Sequence, residues 1–481
     1  MRNDEMLYKN NQLGIKNLIF MFFVLFVLTY LIMVLLFFNN EYLPIGLKTH
    51  NWLVVISFIS LFLYWNIGYS KSMVDGVNLI LLTFFIFLGS ESVVRLLDLN
   101  TKGYFVSVSL SETDHLKASL CIILGSFWLI LGAILGKRKR PTIKLTNIMN
   151  KLPENINGVA LSLLIIGGVF FILGFDSSLF NKSYKEFGEQ GAISLIWRIS
   201  LPLAGFSLIL SQKKKYQRIG SLVLIFLTLY FFMIGNRGYA ISLLLSFIWL
   251  YNFRIKKLNF FKVFIICIMI IFSINIFYQL KSMTVKEKLD LSTYTSMESL
   301  PLTFLFEEGS TTYRSIAYSI KYIPEEKNYS YGSSYLWGMT TIIPNIFGGD
   351  VHPAAKQINP SEWLGLTFNP EQIKKGNGFG FSIIAEAYYN FGLIGIALIM
   401  FMLGYYISCL ENLIRKSNNL FFILLLAISL QNLIWGIRNI FQSVVRFIAW
   451  EVVLLFVIYA IVIVIKGITV KRVTMEGQKK Y

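Results

Sequence analysis

Apolar residues in this chain come in blocks of about 20, the length at which a helix crosses a ~30 Å hydrocarbon core. Lipid offers no partner to backbone N–H and C=O groups, so each block must close its hydrogen bonds internally as a helix. Stretches such as Ile19–Phe38 and Val452–Ile465 lack the apolar/polar alternation that a membrane β-barrel requires. Composition agrees: 55% of the 481 residues are hydrophobic and only 15% are charged, too few to clothe a water-facing surface. The expected fold class is an all-α polytopic membrane protein.

Twelve spans are expected, near 17–38, 51–69, 77–96, 116–136, 157–175, 191–211, 219–235, 238–253, 259–280, 381–408, 419–437 and 444–465. The seventh and eighth are short and almost directly joined, as a tight hairpin or a re-entrant pair. The first block is long and has no small-residue cleavage site after it, so it reads as a retained span rather than a signal peptide. The formal charge of +18 is not a nucleic-acid footprint, because it falls in short clusters between apolar blocks. With the N-terminus placed inside, the even-numbered connections collect Lys71, Lys137-Arg138-Lys139-Arg140, Lys213-Lys214-Lys215 with Arg218, then Arg254, Lys256 and Lys257, then Arg415 and Lys416. An even number of spans returns Lys471, Arg472, Lys479 and Lys480 to the same side. Both termini are therefore expected in the cytoplasm. Three cysteines, all in or beside apolar blocks, give no disulfide framework and no zinc site.

The organisation has three parts: nine spans over 1–280, a large outer loop over 281–380, and three spans with an inner tail over 381–481. The loop holds Pro301, Pro324, Pro344, Pro353, Pro360 and Pro370 and is expected to form short helices, for example at 312–322 and 333–343.

No phosphate loop, HExxH, GxSxG or Asp-x-Asp pattern is present, so neither a metal nor a nucleotide cofactor is expected. The informative residues are polar ones at the outer ends of spans. Arg198 lies in the sixth span, Arg237 stands between Asn236 and Gly238 at the tip of the seventh and eighth, and Lys281 caps the ninth. Glu386 and Asn390 share a helix face in the tenth span. Arg438 and Arg446 bracket the last outer turn, with Gln442 between them and Glu451 a turn deeper. Arginines at outer ends run against the positive-inside tendency, and the guanidinium fork suits a phosphate. The competing reading makes Glu386 and Glu451 ion-pair partners of Arg438 or Arg446 that simply tie helices together. From the loop come Glu307, Glu308, Arg314, Asp350 and His352 as acid–base or charge candidates. Tyr331, Tyr335, Trp337 and Trp363 are available for stacking on sugars or for an interfacial belt.

At these residues the chain resembles the Wzy-type O-antigen polymerases of bacterial inner membranes. The matching pieces are Gly235-Asn236-Arg237-Gly238-Tyr239-Ala240, Ile343-Pro344-Asn345-Ile346-Phe347, the stretch Gly378–Gly395, and Ile437-Arg438-Asn439 with Ser443 to Arg446. The resemblance implies a GT-C-like, metal-independent glycosyltransferase of the inner membrane. Its implied partner is an undecaprenyl diphosphate-linked oligosaccharide, held at a site set in membrane lipid, with a chain-length regulator as a further partner and no nucleic acid. Under this reading Arg237, Arg438 and Arg446, then Arg198 and Arg314, are expected on the diphosphate. Glu386, then Asp350, His352 and Glu308, are expected to take a proton from the attacking hydroxyl, with Asn390, Gln442 and Lys281 in support. A lipid-linked oligosaccharide flippase is the main competing class. An O-antigen ligase-type transferase shares the donor and differs in acceptor, and a membrane scaffold without catalysis is the last alternative.

Overall fold

The computed structural model describes residues 46–70, 72–97, 110–138, 156–175, 192–279, 303–343, 352–368, 370–371, 380–417 and 419–478. The expected span 17–38 lies outside them, as do Asp350 and Lys281. All regular structure among the described residues is helical. The span helices are α1 (Leu47–Gly68), α2 (Gly76–Leu96), α3 (Glu112–Arg138), α4 (Ile156–Leu173), α5 (Ala192–Ile209), α6 (Lys214–Met233), α7 (Arg237–Arg254) and α8 (Phe260–Gln279). Three helices of the large loop follow: α9 (Thr303–Tyr322), α10 (Ser333–Thr340) and α11 (Pro360–Phe368). The chain closes with α12 (Ile383–Ser417), α13 (Leu420–Gly436) and α14 (Phe441–Gln478). Six of these are long and apolar enough to cross a membrane by length and composition, and four shorter ones are also apolar. The expected short pair is a hairpin, α6 packed on α7, turned by Gly235 at φ 84°.

The spine of the bundle is α3 against α12. It can be this close because small residues meet backbone: a Cβ on Gly404 would lie 1.9 Å from the Leu129 carbonyl oxygen. One on Gly132 would lie 2.0 Å from that of Phe401, and one on Gly136 2.6 Å from that of Tyr405. Lipid supplies no hydrophobic drive between helices, so such backbone-to-backbone approach is what holds them.

Two irregularities shape the end of the bundle where Glu386 lies. Helix α2 contains a π-turn at Phe85–Gly89, and α12 is broken at Phe391 (φ −140°, ψ 16°) and Gly392 (φ 62°, ψ −145°). Only glycine adopts the second conformation without strain. The break frees two carbonyls, and the loop satisfies them: Ser330 N–H donates to Tyr389 O and Tyr331 N–H to Asn390 O, both at 3.0 Å. Broken backbone within a spanning helix requires such cover.

The loop helices are part of the core. Tyr313, Ile316 and Ala317 of α9 are buried against α2, α3 and α12. The Tyr313 hydroxyl donates to His115 O at 2.7 Å, and the two rings stack at 5.8 Å.

Candidate functional site

Glu386, in the first turn of α12, is 2% exposed. One carboxylate oxygen accepts from Ser334 Oγ at 2.8 Å and the other from the Phe441 N–H at 2.6 Å. Phe441 opens α14, so the carboxylate caps a helix N-terminus, where amide dipoles favour negative charge. Asn390, one turn on, holds the same assembly. Its amide donates to Ser334 Oγ at 2.7 Å and to Glu386 O at 2.8 Å, and its oxygen accepts from Gly332 N–H at 3.0 Å.

Above this carboxylate opens a cavity of about 370 Å³. Glu386, Ser330, Ser333, Ser334 and Trp337 line it, with Ile440 and Gln442 from the approach to α14. Ala354, residues 356–360, Trp363 of α11, Lys327 and Tyr389 complete the lining. Lys327 places its ammonium 5.0 Å from the Tyr389 ring centre and 5.7 Å from that of Trp363. The cavity thus offers a carboxylate, two ammonium groups (Lys327 and Lys356) and three aromatic faces, a combination suited to a sugar with charged neighbours.

The sequence-derived residues fall into distinct places. Glu386, Asn390 and Gln442 belong to this one assembly. His352 does not line the cavity but staples it: Nε2 lies 3.1 Å from both Thr340 O and Ile343 O, and Nδ1 accepts from Ala354 N–H at 3.2 Å. That ties the end of α10 to the segment carrying Lys356. Arg438 stands two residues before Ile440, with its guanidinium 5.8 Å over Phe87 in the π-turn of α2. Arg446 is exposed on α14. Arg237 is 7% exposed at the head of α7, and its neighbour Gly238 faces the Trp435 indole. Arg198 lies over the rings of Trp197 and Phe231, and its backbone oxygen accepts from Tyr239 Oη at 3.2 Å. Tyr239 accepts from Gln431 Nε2 at 2.7 Å and contacts Trp435 edge-on, which links Arg198 to the same end of the bundle. Arg314 is set apart on α9, next to the Tyr313–His115 contact. Glu307 and Glu308 fall within α9, where side chains are described only from Thr312.

The ion-pair reading of the two carboxylates does not match this geometry. Among the described residues Glu386 bonds neutral donors, and the fully buried Glu451 accepts from the Asn432 amide. Neither carboxylate pairs with Arg438 or Arg446 there. Lys327, Lys356, Ser334 and Asn359 are site residues that the sequence did not single out, because polar residues of a polar loop look alike until the chain folds. Trp337 and Trp363 line the cavity, whereas Tyr335 packs edge-on against Phe441 at 5.1 Å and Tyr331 is exposed. Among the described residues no three His, Cys, Asp or Glu side chains gather to hold a metal ion.

A family model described as O-antigen polysaccharide polymerase Wzy matches residues 18–472. Protein CapE of Staphylococcus aureus is 30% identical over 175 residues, which cover 36% of this chain and 35% of that protein. The chain thus matches only about a third of that curated relative. No solved structure matches.

Proposed function

Because the chain belongs to the O-antigen polysaccharide polymerase Wzy family, we propose that it joins lipid diphosphate-linked oligosaccharide repeat units into a long surface polysaccharide, working at the outer face of the bacterial cytoplasmic membrane. The observation that carries this reading is a buried carboxylate, Glu386, that lines a cavity with three aromatic side chains, Trp337, Trp363 and Tyr389. In the proposed step a hydroxyl oxygen of the incoming unit attacks the anomeric carbon of the growing chain. The bond from that carbon to the lipid diphosphate breaks, and the diphosphate leaves with the electron pair. The hydroxyl proton passes to Glu386, whose position is set by Ser334 and Phe441. Charge that develops on the leaving diphosphate is met by Arg438 and Arg446, which flank the cavity-lining Ile440 and Gln442 in sequence, then by Arg237, with Arg198 and Arg314 after them. Asp350, His352 and Glu308 are secondary bases under the same proposal, and Asn390, Gln442 and Lys281 supporting groups. Of these, His352 fits better as the staple of the 352–356 segment. The basic connections face the cytoplasm in this reading, and both termini lie there. The 281–380 loop is then periplasmic, the chemistry needs no metal, and a chain-length regulator would act on the assembled enzyme.

The test is the surface glycan of cells that carry single variants. Arg438→Ala and Glu386→Gln are expected to remove long chains while one-unit product persists and the protein accumulates normally in the membrane. Normal chain lengths in both variants would end the proposal. Loss of all surface glycan, single units included, would favour a flippase or a ligase instead.

A further inference from the structure

The cavity beside Glu386 is selective in the charges it gathers. The loop 281–380, which supplies most of its lining, holds nine basic and ten acidic residues, so its own charge is close to zero. From the described part of that mixture the cavity takes Lys327 and Lys356 and no carboxylate. Its acidic group, Glu386, comes from α12, and both of its oxygens already accept hydrogen bonds, from Ser334 and from the Phe441 amide. Neither lysine forms an ion pair among the described residues. The cavity therefore presents two uncompensated ammonium groups.

Both are set on anchored backbone. Lys327 lies just beyond α9, with its ammonium 5.0 Å from the Tyr389 ring centre and 5.7 Å from that of Trp363. Those two rings are 5.4 Å apart and tilted by 54°, so the ammonium faces a corner between aromatic planes. Attraction to ring faces holds the cation and leaves its N–H donors for an anion. Lys356 ends the short 3-10 turn Pro353–Lys356. His352 fixes that turn, since Nδ1 accepts from Ala354 N–H and Nε2 reaches Thr340 O and Ile343 O. Thr340 and Ile343 belong to the strap 330–343, which also brings Ser330, Ser333, Ser334 and Trp337 to the cavity. The strap is bonded at its upper end to α12 at Tyr389 and Asn390, and at its lower end to α14, where the Trp450 indole donates to Ile342 O at 3.0 Å.

The combination points to one class of ligand. Indole and phenol rings suit the C–H face of a pyranose, and the serine hydroxyls with the Asn359 and Gln442 amides suit its hydroxyls. A neutral sugar needs no ammonium. A diphosphate has no apolar face for an indole and is matched best by a guanidinium fork. Lysine is a point charge, and point charges beside aromatic faces match a ring that carries a single carboxylate of its own.

We propose that the cavity recognises a uronic acid in the incoming repeat unit. The sugar ring rests against Trp337, Trp363 and Tyr389, its carboxylate is met by Lys327 and Lys356, and a hydroxyl of the same unit is thereby turned to Glu386. This inference rests on the reading of the chain as a repeat-unit polymerase.

The first test is chemical. The surface glycan that is lost when the gene is deleted is hydrolysed and its sugars are identified. A carboxylated sugar is expected in every repeat unit. A polymer without one, whether neutral or acidic only through phosphate, overturns the proposal. The second test uses the full chain in nanodiscs and two probes: one repeat unit released from that glycan by mild acid, and the same unit with its carboxyl groups reduced to hydroxymethyl. Saturation-transfer NMR is expected to show tighter binding of the carboxylated unit. Lys327→Gln combined with Lys356→Gln is expected to weaken that binding about ten- to a hundredfold, the size of a lost charge-assisted hydrogen bond, and to leave the reduced unit unaffected. Lys327→Arg combined with Lys356→Arg keeps both charges and is expected to keep the preference. Equal binding of the two probes, or an unchanged preference in the double Gln variant, overturns the proposal. A glycan without carboxylated sugar, with Glu386→Gln still devoid of polymer, removes this inference alone. A lysine-dependent preference with Glu386→Gln polymerising normally removes the reaction and keeps the sugar site.

Discussion

Helix α12 carries two buried carboxylates at opposite ends, and they are held in contrasting ways. Each accepts a 2.6 Å hydrogen bond from the first amide of another spanning helix, Glu386 from Phe441 of α14 and Glu411 from Gly76 of α2. Around Glu411 the structure is closed by charge. Arg415 lies 3.6 Å away one turn on, and Asp75 caps the same helix start, bonded by Trp65, Ser70 and Asn78. Lys137 stacks 4.3 Å over Trp65 and donates to Tyr69 O. Around Glu386 the second donor is a hydroxyl, no cation lies within ion-pair distance among the described residues, and a cavity opens. A carboxylate closed in by charged neighbours is a fastener, whereas one held by neutral donors and facing a void is open to a visitor.

The comparison breaks first if the shared spine fails. Gly404→Ala puts a methyl group where the Leu129 oxygen stands, and both ends of α12 should be lost together at a cost on the order of 3 kcal/mol. Thermal unfolding in detergent and the amount of protein in the membrane fraction read this. If the variant accumulates and melts like the parent, the α3–α12 contact is not what unites the two ends.

The next effect separates the carboxylates. Glu386→Gln should reduce polymer formation about 10²- to 10⁴-fold, the usual worth of a positioned base, with little change in melting temperature. Glu411→Gln should show the reverse, a modest loss of stability with chain length retained. An equal loss of activity in the two variants would erase the distinction. Ser334→Ala sharpens it further. Loss of one donor to Glu386 and of one acceptor for the Asn390 amide should slow polymerisation by about tenfold, measured as glycan produced over time, with the protein still folded. Smallest is Arg415→Ala. This pair is partly exposed, so its loss should cost less than about 1 kcal/mol and leave the glycan ladder unchanged.

What the sequence made legible follows from how local each signal is. A 20-residue apolar block states its own secondary structure, so α1 to α8 and α12 to α14 fall close to the expected spans. Glu386 and Asn390 were visible because polar residues stand out inside such a block. Lys327 and Lys356 were not. Each sits in a polar loop where charge is ordinary, and they share a cavity only because residues 327, 356 and 386 are brought together by folding. Gly392 was in plain view, but a glycine in an apolar run does not announce a break. The partners of that break, Ser330 and Tyr331, lie some sixty residues away along the chain. Glu411 lies in sequence next to the basic pair Arg415 and Lys416, and its role needs Gly76 beside it.

The pairing of Ser330 and Tyr331 with Tyr389 and Asn390 also sets an order of assembly. The two amides leave the ribosome well before the carbonyls that accept them. Until α12 has been threaded into the bilayer, the strap has no acceptors at that depth and Glu386 is not yet made. Insertion of α12 seats the upper end of the strap, and the chamber is completed only when α14 follows with Ile440, Phe441 and Gln442. A nascent chain halted before residue 389 is consequently expected to leave residues 330–343 open to proteases, even with every earlier span in place.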